Sequence, residues 1–148
     1  MKPNPRRRHL DIYPHRIDMQ TRFADVDPQR HLNNVRIAEL YQEARVAFHR
    51  ILAEEFQVER SAGSRTLVAR QSIDYLAEVE YPGIVTVGIG ISRVGGASFS
   101  LALALFQNGE CVGISDAVLV HESQNGPHRL PEHLRSVLEQ QMLPEDAR

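Results

Sequence analysis

Acids, an imidazole and two amides crowd into ten consecutive residues, Asp25-Val26-Asp27-Pro28-Gln29-Arg30-His31-Leu32-Asn33-Asn34. The run follows a β-like stretch and leads into a long amphipathic pattern, so it delivers these groups to a helix N-terminus. A helix N-terminus presents unpaired backbone N–H groups and the positive end of a dipole. A carboxylate beside donors that can hold an oxyanion suits acyl transfer. Asp27 is the residue placed to activate water or to attack a carbonyl directly. The backbone N–H groups near Asn34 and Val35 would then polarise that carbonyl. The spacing leaves a second reading equally open, in which Asp25 or Asp27 satisfies a turn that Pro28 bends. His31, four residues after Asp27, is either a proton carrier near neutral pH or a packing residue bonded to backbone. Asn33 and Asn34 are natural helix caps.

Other chemistries find less support. Asp25, Asp27 and His31 could supply three metal ligands, but the run lacks the glycine and distal glutamate of a calcium loop and the Cys/His spacing of a zinc site. No metal is expected. Neither a phosphate-binding glycine loop nor a Gly-x-Ser-x-Gly elbow occurs. Cys111 alternates into a strand and reads as a small core residue. Glu43 lies off the apolar stripe of the helix and reads as solvated.

The elements that must position the Asp/His/Asn run follow from periodicity. A strand over Arg16–Ala24 leads into it. A helix over Val35–Glu55 follows, with Ile37, Leu40, Tyr41, Ala44, Phe48, Ile51 and Leu52 on one stripe. Ser61-Ala62-Gly63-Ser64 reads as a loop. Strands are expected over Thr66–Val79, Ile84–Val94, Ala97–Phe106 and Cys111–His121, with hairpin turns at Gly95-Gly96 and Asn108-Gly109. A short helix begins near Pro131 and runs through Leu138. The order implies an α+β chain, an antiparallel sheet wrapped around one long helix.

The late strands carry a bulky face and a small one. Val87, Ile89 and Ile91 alternate with glycines and serine, Phe99 to Leu105 alternate with Ser100, Ala102 and Ala104, and Val112, Ile114, Val118 and Val120 alternate with Cys111, Gly113, Ser115 and Ala117. A sheet with one wet face would show polar residues at every second position. One helix covers one face, so the small-residue face is expected to meet another subunit, giving a homodimer or homotetramer.

Composition bounds the rest. The 148 residues suit one domain, with 42% hydrophobic and 24% charged residues and a formal charge of −2. That balance gives no pull toward nucleic acid or an anionic membrane. The single cysteine suits a reducing, cytoplasmic setting. Residues 1–12, with Arg6-Arg7-Arg8, read as a flexible solvated tail, and residues 127–148 as a short helix and tail. The longest apolar run, Ala97–Phe106, is too short to span a membrane.

The segment Thr21–Asn34, followed by Glu39-Leu40-Tyr41-Gln42-Glu43-Ala44-Arg45, resembles the hot-dog fold acyl-CoA thioesterases of the 4-hydroxybenzoyl-CoA thioesterase type. Ile73–Val79, Tyr81-Pro82-Gly83 and Ser92–Ser98 match that family in the same order, so the likeness covers about residues 16–121. The resemblance implies a five- or six-stranded sheet around a central helix, pairing into dimers or tetramers. It implies hydrolysis of an acyl thioester to a free acid and a thiol. Asp27 matches the catalytic aspartate, and the backbone at Asn34 matches the amide that polarises the carbonyl. His31 and Asn33 match the branch reading Asp-x-x-x-His-x-Asn-Asn, which resembles plant acyl-carrier-protein thioesterases, and would orient water or substrate. A glycine often precedes that histidine, where this chain has Arg30. The implied substrate is an acyl-CoA or acyl-carrier-protein thioester, with coenzyme A entering as part of the substrate and no cofactor required. Its acyl chain would lie between subunits against small strand residues. Arg65, Arg70 and Arg93 are the candidates for the coenzyme's phosphates. The competing readings are a hot-dog protein that binds such thioesters without cleaving them, and a dehydratase of the same fold.

Overall fold

Helix α1, Asn34–Glu55, buries Ile37, Leu40, Tyr41, Ala44, Phe48 and Leu52 on one stripe, as helical spacing requires. The computed structural model describes residues 2–60 and 62–148, so Ser61 of the expected loop falls outside the described residues. Around α1 run β1 (His15–Gln20), β2 (Arg65–Tyr75), β3 (Ile84–Val94), β4 (Ser98–Gln107), β5 (Glu110–Ser123) and the two-residue β6 (Gly126–Pro127), and a second helix, α2, spans Glu132–Gln140. They form an antiparallel sheet in the order β1-β3-β4-β5-β2, with β6 on β5. Val85, Val87, Ile89, Ile91, Phe99, Leu101, Leu103 and Leu105 point from the sheet into the core beneath α1. Asn108 and Gly109 both take positive φ, 51° and 78°, which is what a two-residue hairpin turn needs. Among the described residues, no helix is long and apolar enough to cross a membrane.

Two strands are shorter than their patterns suggest. β1 ends at Gln20, because residues Phe23–Asp25 coil into a 3-10 turn. β2 ends at Tyr75 rather than Val79, because the N–H groups of Leu76 and Ala77 both donate to the Val112 carbonyl and lead the chain off the sheet. β5 departs from its pattern too. A bulge between Phe106↔Cys111 and Leu105↔Gly113 inserts Val112. Val112 therefore stays in the core, while Ile114 passes to the outer face beside Ala104, and Ala117 and Leu119 turn inward.

The small-residue face is not left for another subunit. Ile12, Tyr13, Leu143 and Ala147 cover Ala102, Ala104, Phe106 and Ile114 in a second apolar layer. A Cβ on Gly88 would come within 2.6 Å of the Tyr13 ring, and one on Gly90 within 2.5 Å of Leu143. The small residues make room for the chain's own ends. Residues 1–12 are correspondingly not a solvated tail where described. Pro5–Arg8 and Leu10–Ile12 form 3-10 turns. The buried Arg7 guanidinium pairs with Asp116 at 2.9 Å and donates to the Ser115 carbonyl and the Tyr13 hydroxyl. At the other end, the segment after α2 packs Leu143 and Ala147 into that layer.

Candidate functional site

The loop between β1 and α1 is fastened at four places. Thr21 donates twice, through N–H and Oγ1, to the Gly83 carbonyl just before β3. Leu32 N–H donates to the Val79 carbonyl at 3.0 Å. Val26 and Leu32 form an antiparallel bridge across the loop. Asn33 N–H donates to the Asp25 carbonyl at 2.9 Å.

Asp25 is the anchor of this loop. Its buried carboxylate accepts from the Arg22 N–H at 3.2 Å and from the Arg22 guanidinium at 2.8 Å, and it pairs with Arg36 Nε of α1 at 3.1 Å. Arg22 first, then Arg36, hold this carboxyl below the usual carboxylate range, against the opposing effect of burial. Arg36 extends the network to Glu39 and Glu43 at 3.0 and 3.2 Å. Arg36 therefore belongs to the site's scaffold. The signal for it was its place in the first turn of a helix entered from an acidic loop.

Asp27 occupies the turn that Asp25 holds. Its Oδ1 accepts from the N–H of Gln29 at 2.9 Å and of His31 at 3.3 Å. Its backbone completes the turn through Asp27 N–H to His31 O and Arg30 N–H to Asp27 O. Arg30 takes φ 68°, in the left-handed region that favours glycine. Glycine is the residue the family resemblance places there, so arginine supports the same turn at a strain of about 1 kcal/mol. Oδ2 of Asp27 receives no hydrogen bond from any described residue, and the side chain is half-buried. The two readings of Asp27 are thus compatible: one oxygen makes the turn and the other is open to a reactant.

Asn33 caps α1, its Oδ1 accepting from Val35 N–H at 2.8 Å. That bond withdraws the Val35 N–H from any oxyanion role. Asn34, the first helical residue, is exposed, and its N–H lies among the first-turn donors that have no helical acceptor. The Tyr75 hydroxyl at the end of β2 lies 3.4 Å from the Asn34 carbonyl. His31 sits between the turn and the segment after β2, where its Nε2 lies 3.0 Å from Glu78 Oε2, an ion pair when the ring is protonated. His31 Nδ1 is buried with no hydrogen-bond partner among the described residues. Glu78 is a further residue at this candidate site that spacing alone does not single out, since it reaches His31 only because Leu32 pairs with Val79.

Asp25, Asp27 and His31 are not gathered around one point. They turn respectively to two arginines, to backbone N–H groups and to Glu78. The three arginines expected to meet phosphates are dispersed. Arg65 opens β2, paired with Glu122 at 3.2 Å, ten residues from the Tyr75 end that meets Asn34. At about 3.3 Å per residue it is roughly 30 Å from that end of the strand. Arg70 lies midway along β2, and Arg93 is near the end of β3 remote from Gly83.

Comparison with known proteins places this arrangement among relatives. The model of the thioesterase-like superfamily matches residues 21–138. A solved protein from Pseudomonas aeruginosa strain PAO1 is 28% identical, with 90% of this chain and 94% of that chain covered at a TM-score of 0.76. A thioesterase from Thermus thermophilus, complexed with coenzyme A and zinc, is also 28% identical, covering 84% and 96% at a TM-score of 0.73. A thioesterase-superfamily structure from Jannaschia sp. CCS1 shares the fold at 18% identity, 97% and 99% coverage and a TM-score of 0.78. No curated protein matches the chain.

Proposed function

Because the chain belongs to the thioesterase-like superfamily, we propose that it is a hot-dog thioesterase that hydrolyses an acyl-CoA to a free acid and coenzyme A, with Asp27 at the reacting centre. The observation that carries this reading is the divided carboxylate of Asp27, beside a helix N-terminus whose Asn34 N–H has no acceptor among the described residues. Oδ1 is committed to the turn, which fixes the direction of Oδ2.

Oδ2 takes a proton from water as its oxygen attacks the thioester carbon, or attacks that carbon itself to give an anhydride that water then opens. Either way the carbonyl oxygen gains charge, and the Asn34 N–H and the positive helix end stabilise it. The tetrahedral adduct then collapses with cleavage of the carbon–sulfur bond, to the acid on the water route or to the anhydride on the direct route. The thiolate takes up the proton that water gives up in its attack on the thioester or on the anhydride. Asn33 keeps its Nδ2 amide, and His31 its ring, to orient water or substrate. Coenzyme A as the carrier is supported by the Thermus thermophilus relative solved with it.

The proposed assembly is a homodimer through β2. That strand is a sheet edge, so one row of its N–H and C=O groups is unpaired. Leu67, Val68 and Tyr75 on β2 and Val35 and Val46 on α1 are exposed. A second copy pairing antiparallel along this edge covers them. It also sets the Arg65 half of one β2 beside the Tyr75 end of the other. Arg65 and Arg70 of the partner subunit would then stand near the helix N-terminus, where coenzyme phosphates need cations.

The test is thiol release from short, long and aromatic acyl-CoAs and an acyl-carrier-protein thioester, with wild type and Asp27→Asn side by side. Release by wild type and loss in the variant is expected. Full activity in Asp27→Asn would remove Asp27 from the chemistry. Tight binding without release from any carrier would make the protein a thioester binder instead.

A further inference from the structure

The two ends of the chain hold each other as well as the sheet. Asn4 and Asp146 stand 142 positions apart in sequence, yet Asn4 Nδ2 donates to the Asp146 carbonyl at 2.7 Å. Arg6 Nε pairs with the Asp146 carboxylate at 3.1 Å. Arg7, 6% exposed, points the other way, into the sheet. Its guanidinium reaches the Leu103 carbonyl of β4, the Ser115 carbonyl of β5 and the Asp116 carboxylate. The Tyr13 hydroxyl donates back to the Arg7 carbonyl at 2.7 Å, and the Tyr13 ring lies over Gly88 of β3. From the other end Leu143 lies over Gly90. The ends thus form one clasp across β3, β4 and β5.

Where the clasp lies decides what else can lie there. Two sheets packed face to face stand about 10 Å apart, and their own side chains fill the gap. Here Tyr13 and Leu143 fill it, so closely that a Cβ on Gly88 or Gly90 would meet them at 2.6 and 2.5 Å respectively. No second sheet reaches these strands while the clasp is shut. Beneath it, Ala102, Ala104, Phe106 and Ile114 are buried only because the clasp covers them. With the two glycines they make a small, apolar, uncharged surface, which in water needs a cover. The ties that hold the cover are partly wet. The Asp116 and Asp146 side chains are 47% and 65% exposed, so both ion pairs are open to solvent on one side.

We infer that the clasp is an assembly stop: it holds the outer sheet face shut against a second copy of this chain, and opening it lets two such faces pack together. A contact of one face with its own copy is two-fold and closes on itself, so it doubles the particle and goes no further. The proposed pairing through β2 uses the sheet edge and leaves this face aside. The inference rests on that reading only for the number of chains present before the clasp opens.

The experiment measures the mass of the full chain by light scattering, together with hydrogen exchange over residues 2–13, which reads the clasp by itself. Wild type is expected to have the mass of two chains and a protected arm. Arg7→Glu sets a carboxylate against Asp116 and the two carbonyl oxygens. Gly88→Val drives a side chain into the Tyr13 ring. Each should speed exchange of the arm at least tenfold and double the mass at the same protein concentration. Asp146→Ala, on the surface, cuts only the tie between the ends and serves should either of the others not fold. A wild type already larger than two chains overturns the inference without any variant. So does a fast-exchanging arm with no change in mass, or a particle that grows without limit instead of doubling. An arm that stays protected in all three variants overturns it too, since these contacts would then not hold the clasp. A wild-type monomer that pairs when the clasp opens refutes the dimer through β2 and keeps the stop.

Discussion

The two ends of α1 handle charge in opposite ways. At the N-terminal end, Arg22, Asp25, Arg36, Glu39 and Glu43 form a chain of alternating sign in which each group has a partner. In the C-terminal half, Arg45 is buried with no ion-pair partner among the described residues, and burial, then the Arg45 and Arg60 charges, lower the pKa of His49. A matched network makes a rigid mount, and the N-terminal end needs one because a reacting oxygen must be aimed. An unmatched buried cation makes a poor mount. The same helix thus carries matched charge at one end and unmatched charge at the other.

The largest test of the N-terminal end is Asp27→Asn. Asparagine keeps an oxygen to accept from Gln29 and His31, so the turn persists, but it can neither take a proton nor attack. Thiol release is expected to fall by about 10²–10⁴-fold, the usual worth of a general base, with an unchanged melting temperature. A drop in melting temperature of the same variant would mean that the turn, and not the chemistry, needs the charge.

Asp25→Asn attacks the mount itself. It removes the negative charge between Arg36 and Arg22. Arg22 is 60% exposed and contributes little, whereas the Arg36 side chain is 10% exposed and loses a buried partner. A loss of about 2 kcal/mol is expected in urea unfolding. The sign with pH follows from the lowered carboxyl of Asp25. Its contribution is complete above the ordinary carboxylate pKa of about 4 and disappears as pH falls through the lower folded value. Wild type and variant should therefore differ equally at pH 7 and pH 5 and converge below about pH 4. A gap that stays constant into strong acid would separate the stability of the loop from this ion pair.

Much of this contrast is legible in the residues themselves, and the part that is not has a common cause. α1 is readable to within one residue and β3 at both ends, because each rests on an uninterrupted period in a single segment. The turn at Asp27 and the Asn33 cap are readable because their bonds span only a few positions. Glu78 is not, since its contact with His31 depends on pairing between Leu32 and Val79, far apart in sequence. The phase of β5 escapes its own alternation because one bulged residue reverses which side every later residue faces. Likewise the glycine and alanine face announces that something packs closely on it, but not that Tyr13 and Leu143 of the same chain do so. The unmatched state of Arg45 is a property of everything around it, which no local pattern encodes.

Glu78→Gln probes how far the matched end reaches. Glutamine keeps the length of the side chain and removes only the charge that faces His31 Nε2. An ion pair with so exposed a carboxylate, 69% open to solvent, is worth at most about 1 kcal/mol, or about fivefold. If Glu78 supports His31 during turnover, kcat falls by up to about fivefold with KM unchanged. A change in KM alone would place the pair in substrate binding, and no change in either would leave the contact a surface ion pair.

The smallest effect expected has the opposite sign to that of Asp25→Asn, and so tests the contrast most directly. Arg45→Met keeps the length and apolar stem of the side chain and removes a charge that no described residue pairs. Replacing a buried, unpaired cation with a hydrophobic group relieves its desolvation and breaks no ion pair. A gain of about 1 kcal/mol is expected, which for a chain of this size raises the melting temperature by about 2–4 °C. A destabilised Arg45→Met chain would show that the guanidinium is already satisfied where it lies, and the two ends of α1 would no longer differ in kind.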